Sequence, residues 1–526
     1  MGKFVKLLIG NFLIINLSIV FAIGYQTTAG YTTYDWLFSG PLRTWCRTDS
    51  VGNGVHIAWT WSNFAPAVDR NIRYNFFDFV THNWLWDGGI NVFSFRSGGL
   101  GALDYDPIIG GYVISSTQSS GGQITPVVAK DQGYCLGPAG FSSPAISVSA
   151  NQSVHCVMIA TYDSLWYSRI QPWPNWTTPI YIGCPGQTVS SYNIAASKIS
   201  NKVIVTWTEY DELSTNTFGY YRLSNDGGLT WGQPTQIPFP PNSISFNDYS
   251  FYTMFDHNDD FHFVCAVCDT NNVYNCGIWH YCLANNPPWS LVFGYHPDTL
   301  AAGIGYNAIG ACRPTIVENL HDHYLYVAWE QFDSLNYEPL TSLSRADVWI
   351  AESPDNGLTW QNQQPITSPN TTSKRFPCAG GVDHDTLSVA YLIDSIAGFE
   401  ICAQGRTTRN PVVLHRLKVP LPTIEIIENS IWHIQHLTLD ATPNPFTSHT
   451  AIRYSLPIES NVSLLIYDAS GRLVKTFNAI SGSRSAKSEV IWDGKDNNGI
   501  EVKSGVYFYT LKTADKSVTR KIIKAE

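Results

Sequence analysis

The sequence predicts an all-β protein, and three observations lead to this prediction. Aromatic residues make up 13% of the 526 residues and charged residues only 14%, which favours short packed strands over solvated helices. The 40 glycines and 29 prolines supply many turns between such strands. One strand-and-turn pattern also recurs along most of the chain, which is typical of a repeat architecture.

The clearest copy of this pattern lies between Lys202 and Trp231. An apolar run from Val203 to Trp207 is followed by an acidic turn, a second strand-like run and a glycine-bearing turn, which together predict an antiparallel hairpin. Similar apolar strand cores recur at residues 55–59, 112–114, 154–158, 203–207, 261–265, 325–329 and 387–391. Their starts lie 42 to 64 residues apart.

This spacing predicts a seven-bladed β-propeller over residues 36–422. Four strands in a unit of about 40–60 residues is the period of a propeller blade. The second unit is short, so six blades remain an alternative. An array of β-sandwiches fits less well, because sandwich modules usually span about 90–100 residues.

The turn at residues 224–231 matches the pattern S-x-D-x-G-x-T-W and recurs at residues 353–360. The residues that define the two turns are Ser224, Asp226, Gly228, Trp231, Ser353, Asp355, Gly357 and Trp360. The aspartates are expected to accept backbone hydrogen bonds, the glycines to allow positive φ, and the tryptophans to pack over the outer hairpin. The pattern resembles the Asp-box (BNR repeat) of sialidase-like propellers over residues 36–422. That resemblance implies a structural role, because the family's Asp-boxes lie away from the active site.

Sialidase chemistry would need three arginines, a Tyr–Glu pair and an acidic residue. The candidate arginines are Arg43, Arg96, Arg313, Arg375 and Arg406. The family's Arg-Ile-Pro-like triplet near its first blade has no counterpart there: Arg375-Phe376-Pro377 falls in the last unit, and Arg313-Pro314 lacks the middle residue. Catalytic residues are therefore not predicted, and whether the protein is an enzyme stays open.

Acidic residues follow the strand cores in several repeats. The candidate ligand-binding residues are Asp163, Glu209, Asp211, Asp269, Glu330, Asp333, Asp394, Tyr162 and Tyr210. In a propeller these second-to-third strand loops lie opposite the Asp-box turns, where they could form an acidic ring with aromatic walls around the channel mouth. Such a ring would suit a glycan or a peptide. The simpler alternative is that each aspartate starts an Asx-turn.

The first 22 residues are predicted to be a signal peptide. Lys3 and Lys6 precede an apolar run of about 16 residues, which is short for a membrane span. No other stretch is long enough to span, so no transmembrane segment is expected in the mature chain. Export permits disulfides, and the cysteines near residue 270 are expected to be either buried thiols or to form one disulfide across a hairpin, with Cys268–Cys276 as the candidate pair. Zinc is disfavoured for this cysteine group, because Cys265 and Cys268 should face opposite sides of a strand.

The composition changes near residue 440. Residues 423–440 carry an apolar run that predicts a linker, and the chain beyond holds 12 basic and 9 acidic residues, against 20 and 33 before it. Residues 441–526 show alternating strand runs, such as residues 462–467 and 506–511, that predict a small β-sandwich. The PNPF run, the Tyr-Asp-x-x-Gly-Arg turn and the WDG-x-D-x-x-G cluster resemble the C-terminal sorting domain of type IX secretion cargo. They are also similar to the immunoglobulin-like domain of flagellar hook-capping proteins.

These features predict an exported protein that is secreted or attached to the outer cell surface. The resemblance of the C-terminal domain implies a secretion machinery as partner, and the propeller is expected to bind a glycan or a protein. Glycan hydrolysis and a structural surface role are the alternatives. A net charge of −10 without a basic run argues against nucleic acid. No cofactor or metal is predicted; Asp493, Asp496 and Asn498 have calcium-loop chemistry, but an ordinary turn explains them more simply.

Overall fold

A computed structural model of the chain describes most residues between 24 and 525. The described ranges are 24–37, 44–49, 53–64, 68–99, 101–120, 122–131, 133–160, 164–183, 188–214, 216–241, 243–247, 250–269, 272–295, 302–421, 438–455, 461–469, 471–481, 488–512 and 517–525. The predicted signal peptide and most of the predicted linker lie outside them. The chain divides into two compact units, residues 1–423 and 424–526.

The larger unit contains seven antiparallel sheets in its described residues, numbered here in chain order. Sheet 1 is Cys46–Thr48, Gly54–Trp61, Asn71–Asp78 and Asn83–Trp84, with Ile90–Asn91 beside its third strand. Sheet 2 is Leu103–Tyr105, Tyr112–Ser120, Gln123–Lys130 and Gly133–Leu136. Sheet 3 is Phe141–Val148, Val154–Ala160, Leu165–Ile170 and Ile180–Gly183. Sheet 4 is Thr188–Ala196, Val203–Asp211, Asn216–Ser224 and Thr235–Ile237.

The remaining sheets follow the same order. Sheet 5 is Tyr252–Phe255, Phe261–Asp269, Asn272–Cys282 and Trp289–Tyr295. Sheet 6 is Ala311–Glu318, Leu325–Glu338, Leu343–Ser353 and Gln361–Pro365. Sheet 7 is Ser373–Asp383, Thr386–Asp394, Asn410–Lys418 and Tyr25–Thr32. A 3-10 turn, Glu400–Cys402, follows the second strand of sheet 7, and no α-helix occurs among the described residues.

The first strands of the seven sheets form a closed ring. Each contacts the first strand of the next sheet, and the first strand of sheet 7 contacts that of sheet 1. The seven apolar runs that the sequence singled out are the second strands of these sheets. The prediction of an all-β, propeller-type fold is therefore confirmed.

The N-terminal strand Tyr25–Thr32 closes the ring. It lies outside the predicted limits of 36–422, yet it pairs with Asn410–Lys418 as the outermost strand of sheet 7. No apolar run in the sequence marks this strand, because Tyr25, Gln26 and Thr28 are exposed and Thr27 is half-buried. Sheet 7 is thus built from both ends of the unit.

Apolar side chains pack between consecutive sheets rather than in one central core. In the described residues, one hydrophobic cluster lies at each of the seven boundaries between sheets. Between sheets 5 and 6, for example, Trp329 lies 5.1 Å from Phe293 and 6.3 Å from Trp349, measured between ring centroids. Large aromatic side chains fill these boundaries, because the sheets diverge outward from the axis and leave wide gaps to fill.

Three first strands carry the same bulge. Their register shifts at Ser143, Arg313 and Phe376, which have φ angles of 51°, 53° and 57°. In each case a proline follows, and proline in a sheet is confined to edges and bulges because it donates no hydrogen bond. The triplet Arg375-Phe376-Pro377, which resembled a sialidase motif, therefore belongs to this repeated bulge.

The two glycine-bearing turns join neighbouring sheets. In the first, the amides of Leu229 and Thr230 donate to Asp226 Oδ1 at 3.0 and 2.9 Å, and Gly228 has a φ of 78°. The second repeats this pattern around Asp355, as predicted. The tryptophans, however, pack on the preceding sheet rather than over their own hairpin: Trp231 lies 4.8 Å from Tyr167 of sheet 3.

Trp360 occupies the same position in the second turn. Its ring lies 5.4 Å from His280 of sheet 5, and its Nε1 donates to Ser290 Oγ at 3.0 Å. The predicted Cys268–Cys276 disulfide is absent: the two residues are opposite each other in the hairpin of sheet 5, but Cys276 keeps a free thiol, whose sulfur accepts a hydrogen bond from the amide of Ala311.

The smaller unit is a two-sheet β-sandwich. One sheet is Thr438–Thr442, Thr450–Ser455 and Ser488–Trp492. The other is, in spatial order, Leu473–Ser481, Asn461–Asp468, Gly505–Lys512 and Ser517–Lys524. Trp492, Phe446 and Tyr507 meet in its core. Among the described residues of the whole chain, no helix has the length and hydropathy that a membrane crossing requires.

Candidate functional site

A cavity of about 780 Å³ lies in the centre of the ring of sheets. All seven sheets contribute to its wall, through the residues at or just beyond the C-terminal ends of their first strands. We call this end of the ring the cavity face. The turns between third and fourth strands, including residues 224–231 and 353–360, lie on this face as well, because successive strands of each sheet are antiparallel.

One side of the cavity is organised around Asp104, the middle residue of the first strand of sheet 2. Its carboxylate is buried and accepts a hydrogen bond from the amide of Val148 at 2.7 Å. Lys198 Nζ lies 3.1 Å from Asp104 Oδ2, and Arg47 Nε lies 3.7 Å from Oδ1. Burial acts to raise the pKa of Asp104, but the two cations and the amides of Val148 and Tyr105 together lower the pKa. This wall therefore presents two fixed cations held by one carboxylate.

The other side of the cavity carries acceptors and imidazoles. Glu318 ends the first strand of sheet 6, and His321 follows in the next turn. Asp383 ends the first strand of sheet 7, accepts from Arg416 at 3.3 Å and contacts the exposed His384. Tyr105 and the half-buried Phe255 add aromatic surface. The cavity therefore combines fixed donors, fixed acceptors and aromatic rings, which is the composition of a ligand site.

The predicted acidic ring belongs to the opposite face. Tyr162 and Asp163 lie outside the described residues, and the side chain of Asp269 is outside them as well. Asp211 accepts from Ser214 Oγ at 2.7 Å and from the amide of Leu213, and these bonds lower its pKa. Asp333 accepts from the amide of Leu335 at 2.9 Å.

Both aspartates thus form the Asx-turns that were the simpler alternative. Within the same hairpin as Asp211, Glu209 accepts from Trp207 Nε1 at 2.7 Å, and Tyr210 is half-buried. Ligand binding by these four residues stays a prediction.

Glu330 does not line an open channel mouth. It is fully buried, where it forms ion pairs with Arg375 at 3.1 Å and with Arg313, and accepts from the amide of Phe376 at 2.9 Å. Burial acts to raise the pKa of Glu330, but the two guanidinium groups lower it to about 2. The prediction for Glu330 is therefore wrong, because the repeated bulges of sheets 6 and 7 turn both arginines onto it.

This ion-pair cluster also bears on sialidase chemistry. Two of the five candidate arginines, Arg313 and Arg375, converge, but both are already ion-paired with the same interior carboxylate, Glu330. Arg96 and Arg406 are exposed, and Arg43 lies outside the described residues. A clamp of three arginines on a substrate carboxylate is therefore not formed by the described side chains.

Asp394 is also buried, contrary to its predicted place in an exposed ring. The loop at residues 396–405 covers it, and its Oδ1 accepts from the amide of Ile396 at 2.9 Å and from Thr408 Oγ1 at 3.1 Å. Burial raises the pKa of Asp394 to about 7 and that of the nearby Asp35 to about 6. The negative charge of Asp35 raises the pKa of Asp394 further. This pair titrates near neutrality but has no open surface to offer a ligand.

The sequence analysis missed every residue of the Asp104 wall. Arg47, Asp104 and Lys198 come from three different sheets and belong to no local motif. The one available signal was positional, since Arg47 and Asp104 lie in the middle of short first strands and Lys198 lies just after one. In the smaller unit, the amides of Asn498 and Ile500 donate to Asp496 Oδ1, so this carboxylate has the role of a turn former.

The solved structures named here resemble the chain only distantly. No curated protein matches the chain. Among solved structures, the BP39L lectin from Burkholderia pseudomallei shares 12% identity at a TM-score of 0.43, over 71% of this chain and 99% of its own. The β-propeller domain of the Trilobed protease from Pyrococcus furiosus shares 9% at 0.40, over 72% and 96%. The Penicillium chrysogenum alpha-L-arabinanase shares 12% at 0.37, over 60% and 92%.

At this level of similarity, no ligand or activity is carried over from those proteins to this chain. The C-terminal unit gives a more specific result, because residues 446–517 match the FlgD Ig-like domain family. In sequence order, the chain therefore carries an all-β unit of propeller type followed by a FlgD Ig-like domain.

Proposed function

We propose that the larger unit binds a glycan in the central cavity. The observation that carries this proposal is the cavity itself: about 780 Å³ lies within the range of about 300–1,000 Å³ typical of ligand sites. A sugar hydroxyl both donates and accepts hydrogen bonds, so it can use the donors Arg47 and Lys198 and the acceptors Glu318 and Asp383 together. The half-buried Phe255 adds an aromatic ring to the wall, against which a sugar ring can pack.

The charge balance favours a neutral, hydroxyl-rich ligand over a strongly charged one. Asp104 already compensates part of the charge of Arg47 and Lys198, and the carboxylates of the other wall oppose an anion. A hydrolytic activity is not proposed, because Glu330 holds the two arginines that the sequence offered for substrate binding.

A glycan array probed with the full chain, followed by calorimetry on the best ligand, tests the proposal. Lys198→Met removes a cavity donor and is expected to weaken binding about 10-fold to 100-fold, since a hydrogen bond to a charged group contributes about 1.5–3 kcal/mol. Lys202→Met is the matched control: Lys202 is also ion-paired, at 3.1 Å to Asp259, and its side chain is 36% exposed against 38% for Lys198. Equal binding by both variants, or no glycan bound at all, would contradict the proposal.

We infer further that the two turns at residues 224–231 and 353–360 are Asp-box turns with a structural role. Their aspartates bond to amides within the turn, and their carbonyls accept from the preceding sheet: Gly227 from Arg169 at 2.8 Å, and Gly357 from Ser290. Through these hydrogen bonds each turn links its own sheet to the preceding sheet.

We also propose that residues 441–526 deliver the protein across an outer membrane by a type IX route. The support is the pattern of motifs in this region, the charge change near residue 440 and the predicted signal peptide. Deleting residues 441–526 in a host with this pathway is expected to retain the protein in the periplasm. Cell fractionation decides the matter, and normal appearance of the truncated chain outside the cell would count against the proposal.

A further inference from the structure

Two histidines and a glutamate meet between sheets 5 and 6, at the wall of the central cavity. His257 lies in the turn after the first strand of sheet 5, and His323 lies in the corresponding turn of sheet 6. Glu318, the last residue of Ala311–Glu318, reaches between them. One ligand atom from each side chain lies within 4.8 Å of those of the other two.

The local backbone fixes this arrangement. The turn that carries His257 is held by Asp256 Oδ1, which accepts from the amides of Asn258 and Asp260 at 3.0 and 2.8 Å. His257 is also tied to its neighbour, since its own amide donates to Glu318 Oε2 at 2.9 Å.

The turn that carries His323 is closed by a backbone bond. The amide of His323 donates to the carbonyl of Asn319 at 2.8 Å. The side chain of Glu318 is only 5% exposed, so its carboxylate is held in place beside both rings.

The side chains then converge on one point. Nδ1 of His323 lies 3.1 Å from Glu318 Oε1, and Nδ1 of His257 contacts the same oxygen. The two imidazole rings are stacked, with 3.5 Å between centroids and 19° between planes. Two zinc ligands at about 2.0–2.1 Å from the metal in tetrahedral geometry are about 3.3 Å apart, close to the 3.1 Å between His323 Nδ1 and Glu318 Oε1.

We propose that His257, Glu318 and His323 bind a divalent cation of the zinc class. Two imidazole nitrogens and one carboxylate oxygen form a recognised zinc ligand set, and three protein ligands leave a fourth position for water or another ligand. That position is accessible, because Glu318 lines the central cavity and the side chain of His323 is 44% exposed. The proposal does not depend on glycan binding, since the ligands belong to the protein alone.

Metal titration of the full chain tests this inference. After chelation and dialysis, Zn²⁺ is titrated calorimetrically, and Co²⁺ is added separately to read the visible absorption of a low-coordinate site. Wild-type protein is expected to bind one equivalent of either ion. His323→Gln and His257→Gln are each expected to bind at least 10-fold more weakly.

His321→Gln is the matched control, because His321 stands two residues from His323 in the same turn but outside the three-residue cluster. It is expected to bind like wild type. Zinc should also raise the thermal unfolding midpoint of wild type and of His321→Gln, but not that of His323→Gln. A circular dichroism spectrum that matches wild type without metal establishes that a variant folds. If a histidine variant does not fold, Glu318→Gln is used in its place.

No one-equivalent binding by wild type would overturn the proposal. Equal affinity in wild type and both histidine variants would also overturn it, by placing any bound zinc elsewhere.

Discussion

Replacing Asp394 by asparagine should make the stability of the protein less dependent on pH between about pH 5 and pH 7. The folded state raises the pKa of Asp394 from an ordinary value near 3.8 to about 7, mainly because the carboxyl group is buried. Between these two values the folded protein keeps a proton that the unfolded chain has released. Stability is therefore expected to fall as pH rises through this interval and to level off above about 7.

The size of the effect follows from the same values. From pH 5 to pH 8 this one group is expected to cost about 3 kcal/mol, at about 1.4 kcal/mol for each pH unit up to the folded pKa. With about 2 cal/mol/K of unfolding entropy per residue over about 400 residues, this is a fall of about 3–4 °C in the unfolding midpoint. The amide introduced by Asp394→Asn would keep an acceptor for Ile396 and Thr408 without any charge.

The assay is thermal unfolding at pH 5, 6, 7 and 8 for wild type, Asp394→Asn and Asp211→Asn. Asp211 ends the second strand of sheet 4 as Asp394 ends that of sheet 7, but it is solvated and its pKa is lowered. Between pH 5 and pH 8 the unfolding midpoint should therefore fall by the same amount in wild type and Asp211→Asn, and by about 3–4 °C less in Asp394→Asn. Parallel curves for all three proteins would refute the burial argument.

Three further perturbations address the contacts between sheets. Gly227→Ala and Gly228→Ala both place an alanine at positive φ, but a Cβ at Gly228 would lie 1.9 Å from Tyr167 Oη, whereas the atom nearest to a Cβ at Gly227 is 3.5 Å away. In chemical unfolding, Gly228→Ala should therefore lose at least about 1 kcal/mol more free energy of unfolding than Gly227→Ala. Equal losses would disprove the close approach. Glu330→Gln leaves two buried guanidinium groups without a counter-charge, and urea unfolding at pH 7 should show a loss of about 3–5 kcal/mol. Because the pKa of Glu330 is lowered, its stabilisation is lost as pH falls from about 4.5 to about 2, and the variant should lack this acid-dependent part. Trp360→Ala should cost about 2 kcal/mol by thermal unfolding, below the loss of about 3–5 kcal/mol for a fully buried tryptophan, and a loss of glycan binding without a loss of stability would contradict its structural role.

Much of the fold could be predicted from the sequence because the second strands are buried on both faces. Runs such as Val203 to Trp207 therefore read as continuous apolar segments, and their spacing gives the repeat. The strand Tyr25–Thr32 gave no such signal, since an outermost strand is half exposed. Its partner is about 390 residues away, and no local pattern encodes a pairing of that range.

The candidate site was harder to predict, because the ring assembles it from residues far apart in the chain. Asp104 has no motif that distinguishes it from a turn former, and only the contact with Lys198 shows its role. Asp394 and Asp211 occupy the same position in their repeats, yet Asp394 is buried and Asp211 only half-buried. The difference comes from the loop at residues 396–405, which is held by the hydrogen bond from the Glu400 amide to Asp35 and by the packing of Phe399 in the cluster between sheets 7 and 1.

The way in which sheet 7 is completed has a kinetic consequence. Among the described strands of the larger unit, Tyr25–Thr32 is synthesised first and its partner Asn410–Lys418 last, so the pairing has a very high contact order. Until then the strand presents an unpaired edge, which is a template for association with other chains. The ring is therefore completed only when strands from both ends of the unit pair in sheet 7. A circular permutant that opens the chain between two other sheets would move this last step without changing any contact of the finished ring.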